Sequence, residues 1–262
     1  MRYEIEQDRT YPVICLGDEI TYGQRPEWSD ATWRPLKMSL MRYRQWFDYD
    51  PHEKMPVIVW ICGGGFTHAD KNVWAPEMEY YARHGFIVAS IDYSTVARTV
   101  WPMQIEDIKL AIRFLRAHAE QYHVDKERIV VMGESAGAYL AAAVGLLGRK
   151  FDKGEYLEES SAVSAVVPFY GVFGEVRMDG DRLHLPALYE YITRDAPPFL
   201  LLHGTEDQMV SKDGSEQMYQ LLQEKCVRSD LYIIRGAYHA DSPFYQPAIK
   251  DKVIAFIHEA IG

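Results

Sequence analysis

Arg128 to Leu147 reads RIVVMGESAGAYLAAAVGLL, and the fold follows from how this stretch divides. Arg128 to Met132 is short and rich in β-branched residues, which predicts a buried strand. Ala138 to Leu147 is apolar on nearly every face, which predicts a helix enclosed within the domain. Between them Gly133-Glu134-Ser135-Ala136-Gly137 matches G-x-S-x-G. A serine on a tight strand-to-helix turn holds a strained backbone, and bulky neighbours at the flanking positions would clash. The turn lifts the Ser135 hydroxyl clear of the sheet edge. It also puts the Ala136 N–H at a helix N-terminus, where it can stabilise an oxyanion. The same pattern suits an ordinary glycine-bounded turn, so the rest of the chain has to decide.

Working outward, strands and helices alternate from Val57 onward. VIVWIC (Val57 to Cys62) is a continuous apolar run ending in Gly63-Gly64-Gly65, a buried strand feeding a tight loop. A helix is expected over Pro76 to His84 and a strand over Phe86 to Asp92. In the next helix Ile105, Ile108, Ala111, Ile112, Leu115 and Ala119 share one face, and Asp107, Lys109, Arg113 and Arg116 are expected to point to solvent. Downstream, strands are expected over Ser164–Gly171, Phe199–Gly204 and Asp230–Gly236. Helices are expected over Ser211–Cys226 and around Ile249 to Ile257. Before Val57, two strand-like runs, Tyr11–Tyr22 and Lys37–Tyr43, flank a Trp- and Pro-bearing loop. The alternation is that of an α/β fold with a mostly parallel, doubly wound sheet, and residues 1–262 read as one domain. Ligands bind such sheets beyond the carboxyl ends of the strands.

Three strand ends carry chemistry. Ser135 follows the central strand, Thr205-Glu206-Asp207 follows FLLLHG, and Ala237-Tyr238-His239 follows DLYIIRG. A serine hydroxyl is a poor nucleophile at neutral pH and needs a base within hydrogen-bond reach. A carboxylate must then hold that imidazole in the right tautomer and stabilise its charged form. Each residue alone is ordinary, since a lone His is usually a surface or core residue and a loop Asp a turn former. All three in the order Ser135, Asp207, His239, each just past a strand, make a candidate catalytic triad. Gly63-Gly64-Gly65-Phe66 lies upstream, where a second oxyanion donor belongs. A phosphate loop would need G-x-x-x-x-G-K-[ST], a spacing not found here.

Composition narrows the partners. With 262 residues, 48% hydrophobic and 13% aromatic, the chain can bury a large core. A formal charge of −10 without a basic cluster argues against nucleic acid and anionic membranes. The first residues, MRYEIEQDRT, lack a signal-peptide pattern, and no apolar run reaches membrane-spanning length. Cys15, Cys62 and Cys226 are odd in number and widely spaced, so no disulfide framework is expected. The expectation is a cytoplasmic protein, with homo-oligomer formation left open.

WICGGGF, GESAG, HGTEDQMV and the late His239 together resemble the α/β-hydrolase superfamily. The likeness is to hormone-sensitive-lipase-type and acetyl-esterase-like carboxylesterases, including bacterial xylan acetyl and feruloyl esterases. It covers about Lys37 to the C-terminus, with IDYS (Ile91–Ser94) and WPMQIEDIKLAIRFL from Trp101 in support. The resemblance implies an α/β-hydrolase fold with Ser135 as nucleophile, Asp207 as acid and His239 as base. The oxyanion hole falls to the N–H groups of Gly64, Gly65 and Ala136, with no metal or organic cofactor. Where the family has H-G-G-G, this chain has Cys62, a weak donor, so another group or packing around Trp60 and Phe66 must hold the loop. Cys62 as an alternative nucleophile lacks a base tied to it by pattern. The activity implied is hydrolysis of short-chain, acetyl-type esters on sugars or oligosaccharides through an acyl-enzyme. Alternatives are an arylformamidase-like amidase, a peptidase, or a non-catalytic binding module. Val172 to Ala196 is the one sizeable insertion after the nucleophile and is too short for a large lid. Tyr170, Phe173, Tyr189, Tyr191 and Trp101 form either an aromatic rim or part of the core.

Overall fold

The computed structural model describes residues 1–6, 11–26, 32–44, 53–96, 100–178 and 183–262. The Trp- and Pro-bearing loop between the first two strands therefore lies partly outside the described residues. Eight strands form one sheet in the order β1-β2-β4-β3-β5-β6-β9-β10. The strands are β1 (Val13–Pro26), β2 (Trp33–Arg44), β3 (Met55–Ile61), β4 (Ile87–Ile91), β5 (Val124–Glu134), β6 (Ala165–Phe169), β9 (Phe199–Gly204) and β10 (Ser229–Ile234). β2 runs antiparallel to both β1 and β4, and the pairings from β4 across to β10 are parallel. The central strands are buried on both faces, which is why they read as unbroken apolar runs.

Period-two alternation distributes them between two cores. Val57, Val59, Ile61, Ile129 and Val131 face one, packed by α2 (Met103–Ala117), α4 (Ala136–Leu146) and α5 (Asp213–Glu224). Ile58, Trp60, Val130 and Met132 face the other, packed by α1 (Ala75–Arg83) and α6 (Pro247–Ile261). The short helix α3 (Ala119–Tyr122) closes the turn into β5. α4 is apolar all round because it is enclosed, with all of its residues but Gly145 buried.

One expectation fails. Asp107, Lys109 and Arg113 are wholly buried and Arg116 nearly so, although the helical spacing points them to solvent. The spacing fixes which face is polar, not what covers it. Arg25 on β1 donates to Asp107 at 2.5 Å, and the segment 148–162 is drawn over the rest. Lys109 meets Asp152 at 3.2 Å. Arg113 donates to the carbonyls of Glu155 and Lys153, and Arg116 to those of Lys126 and Ala162. Buried charges of this kind persist only when paired and hydrogen-bonded.

Val172 to Ala196 holds a small hairpin, β7 (Val176–Met178) with β8 (Leu183–Leu185), then a 3-10 turn at Leu188–Tyr191. Residues 179–182 fall outside the described set. Leu183, Leu185 and Leu188 are buried, and Tyr139 donates to the Pro186 carbonyl at 2.7 Å, so the segment is docked on the body. Among the described residues no helix is long and apolar enough to cross a membrane.

Candidate active site

The strand-to-helix turn after β5 is built by close approach. A Cβ on Gly137 would lie 2.0 Å from the Ile61 carbonyl oxygen, and one on Gly133 would lie 2.4 Å from the Gly137 carbonyl oxygen. Only glycine lets α4 start so near the ends of β3 and β5. Ser135, between them, has φ 55° and ψ −117°, a conformation L-residues seldom adopt. The strain is held by Ser135 N–H donating to the Phe169 carbonyl (2.9 Å) and Ala138 N–H donating to the Ser135 carbonyl (3.1 Å).

The structure brings Ser135, His239 and Asp207 together. Ser135 Oγ lies 2.9 Å from His239 Nε2, and His239 Nδ1 lies 2.7 Å from Asp207 Oδ2. A carboxylate only accepts, so Nδ1 carries the proton and Nε2 is left to accept from the hydroxyl. The Asp207 side chain is fully buried, and its other oxygen accepts the N–H groups of Met209 and Val210, both at 2.9 Å. Burial alone would raise this carboxyl. The Val210 N–H, His239 and the Met209 N–H outweigh it and hold it below the usual range. Glu206 is exposed and takes no part in the chain of contacts to His239. Tyr170 sets its ring edge-on to His239 at 4.9 Å between centroids.

The glycine loop borders the same cleft, of about 420 Å³, which Cys62, Gly63, Gly64, Gly65, His68 and Trp74 line together with Ser135 and His239. Gly64 (φ 116°) and Gly65 (φ 59°) lie in the left-handed region. No hydrogen bond among the described residues takes up their N–H groups. Gly63 N–H donates to the Glu134 carboxylate, which also accepts from Trp74 Nε1 at 3.1 Å. Tyr93 donates its hydroxyl proton to the Cys62 carbonyl at 2.9 Å. Phe66 is buried and packs edge-on to Tyr139. Burial, then the neighbouring Glu134 charge, pushes the Cys62 thiol up to about 12, which keeps it protonated. Among the described residues no three His, Cys, Asp or Glu side chains converge to hold a metal ion.

Two features are not read from the sequence above. Of the five aromatics, Tyr170 and Phe173 are wholly buried, and Trp101, Tyr189 and Tyr191 pack half-buried against the core. None lines the cleft, where the aromatic is Trp74. Glu134 was the variable position of G-x-S-x-G, yet it is a carboxylate only 6% exposed. A charged residue in an otherwise apolar stretch was the signal that could have found it.

A mostly parallel sheet wound on both faces, with these three side chains assembled beyond its strand ends, defines the α/β-hydrolase fold. A family profile described as BD-FAE matches residues 47–188, and the chain belongs to that family. It is 31% identical to the "Probable carboxylic ester hydrolase LipM" of Mycobacterium tuberculosis, over 88% of this chain and 58% of LipM. It is 27% identical to "Endo-1,4-beta-xylanase B" of Butyrivibrio fibrisolvens, over 68% of this chain and 31% of that protein. Esterase 2 of Thermogutta terrifontis, phosphorylated by paraoxon, superposes with a TM-score of 0.77 at 24% identity, covering 93% of this chain and 92% of that one. The chain spans about half the length of the curated relatives it matches.

Proposed function

We propose that the chain is a serine carboxylesterase, with Ser135 as nucleophile, His239 as base and Asp207 as the orienting acid. The observation that carries this is the unbroken contact from Ser135 Oγ through His239 to Asp207, at 2.9 and 2.7 Å. His239 Nε2 takes the hydroxyl proton as Oγ attacks the ester carbonyl. The negative charge that forms on the carbonyl oxygen is met by the N–H groups of Gly64, Gly65 and Ala136. Asp207 compensates the imidazolium, which returns the proton to the departing alcohol. Water, deprotonated by the same nitrogen, then attacks the acyl-enzyme, and the acid leaves with Ser135 restored.

The substrates we infer are short acyl esters, acetyl above all, on sugars or oligosaccharides. Support comes from the modest cleft, from the docked insertion that adds no described residue to its lining, and from likeness to a protein named as a xylanase. One domain spanning residues 1–262 fits a single sheet drawing strands from both ends of the chain.

The test sets p-nitrophenyl acetate and acetylated xylo-oligosaccharides beside a formyl amide and a dipeptide. The esters are expected to turn over fastest. A preference for the amide or the dipeptide would move the reading to an amidase or peptidase, and binding without turnover to a non-catalytic module. An organophosphonate is expected to label wild type and not Ser135→Ala, which should fold normally. Undiminished turnover by a folded Ser135→Ala variant would sink the assignment.

A further inference from the structure

The family's loop histidine is missing at Cys62, yet the glycine loop here is held, and by identifiable groups. The Cys62 carbonyl and the Gly63 N–H belong to one peptide group. Its oxygen accepts from the Tyr93 hydroxyl at 2.9 Å, and its N–H donates to Glu134 Oε1. A peptide plane bound at both ends cannot flip, and flipping is the soft motion of a glycine run. The carboxylate lies against the backbone so closely that a Cβ on Gly63 would be 2.5 Å from Oε1 and 2.7 Å from Oε2. The same oxygen takes the Trp74 indole N–H, and Trp74 lines the cleft. Tyr93 and Glu134 are 2% and 6% exposed, so both contacts are largely shielded, Glu134 facing the cleft beside Ser135.

We propose that Glu134 is a positioning residue for ester hydrolysis: together with Tyr93 it locks the Cys62–Gly63 peptide, and so aims the Gly64 and Gly65 N–H groups at the carbonyl oxygen bound beside Ser135. The proposal rests on the serine-esterase reading. It also explains why Cys62 is tolerated, since the restraint comes from the residue next to the nucleophile. Nucleophile and oxyanion loop thereby share one rigid turn. Burial raises the Glu134 carboxyl, while the Gly63 and Trp74 donors and the nearby imidazole oppose that. A carboxyl oxygen accepts in either protonation state, so a neutral acceptor of the same length is a fair replacement.

The experiment compares Glu134→Gln, which keeps an acceptor, with Glu134→Leu, which keeps bulk alone. Hydrogen exchange of the Gly63 amide and steady-state hydrolysis of p-nitrophenyl acetate are read for both. Glu134→Gln is expected to keep kcat within about tenfold and Gly63 protected. Glu134→Leu is expected to lose roughly 10²–10³-fold in kcat, the worth of one oxyanion donor, with KM changed little and Gly63 exchanging fast. Wild-type kcat in Glu134→Leu overturns the proposal, and so does retained Gly63 protection or an equal loss in Glu134→Gln. Should Glu134→Leu not fold, Tyr93→Phe decides, since it releases the other end of the same peptide. A loss in kcat at constant KM is expected there, and an unchanged kcat overturns the proposal. Wild type without ester turnover would contradict the esterase reading instead. The two failures are distinguishable, because Gly63 protection is read without substrate.

Discussion

At Asp207 the local backbone decides which of two adjacent carboxylates serves His239. The Met209 and Val210 N–H groups fold the loop around Asp207 and leave Glu206 in water. Asp207→Asn can still contact the ring but favours the wrong tautomer and leaves the imidazolium uncompensated. A loss of kcat of up to roughly 10⁴-fold is expected, and Glu206→Gln should cost at most about a few-fold. Measuring kcat for both variants checks this, and the reverse order would mean the loop is misassigned. His203 offers a pH test. Its ring is fully buried, donating from Nε2 to the Val210 carbonyl (3.0 Å) and accepting at Nδ1 from Ser215 (2.7 Å), and burial pulls its pKa down. The unfolded chain therefore takes up a proton below about pH 6.5, while the folded chain takes it up only at lower pH. Stability should fall as pH drops through that value, by at most about 1.4 kcal/mol per pH unit, and level off beneath the folded pKa. Urea midpoints between pH 7.5 and 5.5, compared with His203→Gln, test this, the variant being expected to show the shallower slope.

At the scale of elements, α2 carries the cost and the benefit of its buried polar face. Lys109 and Arg113 share the carboxylate of Asp152, at 3.2 and 3.5 Å. Asp152→Ala leaves two buried cations without that partner, and breaking such a group typically costs about 3–5 kcal/mol. A urea midpoint lowered accordingly, with kcat per folded molecule unchanged, is the expected outcome. The same helix marks how far the sequence could be read. Strands β3 to β6, β9 and β10 were legible as short apolar, β-branched-rich runs bounded by turn residues, α2 by its helical spacing of apolar residues, and α4 as an apolar run just after the glycine-bounded turn. Ser135, Asp207 and His239 were legible as a set because each follows a strand. What covers the polar face of α2 was not, since it depends on where segment 148–162 travels in space. The hairpin at Val176–Leu185 escaped because three-residue strands carry too little alternation to register. The substitute for the loop histidine stayed hidden for a related reason: Glu134 and Tyr93 are distant in sequence from Gly63 and meet it only in the folded chain.

For the whole molecule, the docked Val172–Ala196 segment bears on substrate size. Its buried leucines tie it to the body, and none of its described residues lines the cleft beside Ser135. A long acyl chain would therefore leave much of its apolar surface in water, forfeiting about 0.8 kcal/mol for each methylene left unburied. Acetyl and propionyl esters are expected to give higher kcat/KM than decanoyl esters. Faster decanoyl turnover, with activation at a lipid interface, would contradict that. The placement of the three side chains along the chain has a further consequence, for biosynthesis. Ser135 and His239 are separated by 104 positions, and His239 follows β10, an edge strand paired among the described residues with β9. A chain emerging from the ribosome presents Ser135 well before the histidine that contacts its hydroxyl. Long-range parallel pairings also form late in folding. On the proposed mechanism, a half-folded chain without β10 and the loop after it would hold Ser135 without the imidazole that contacts its hydroxyl.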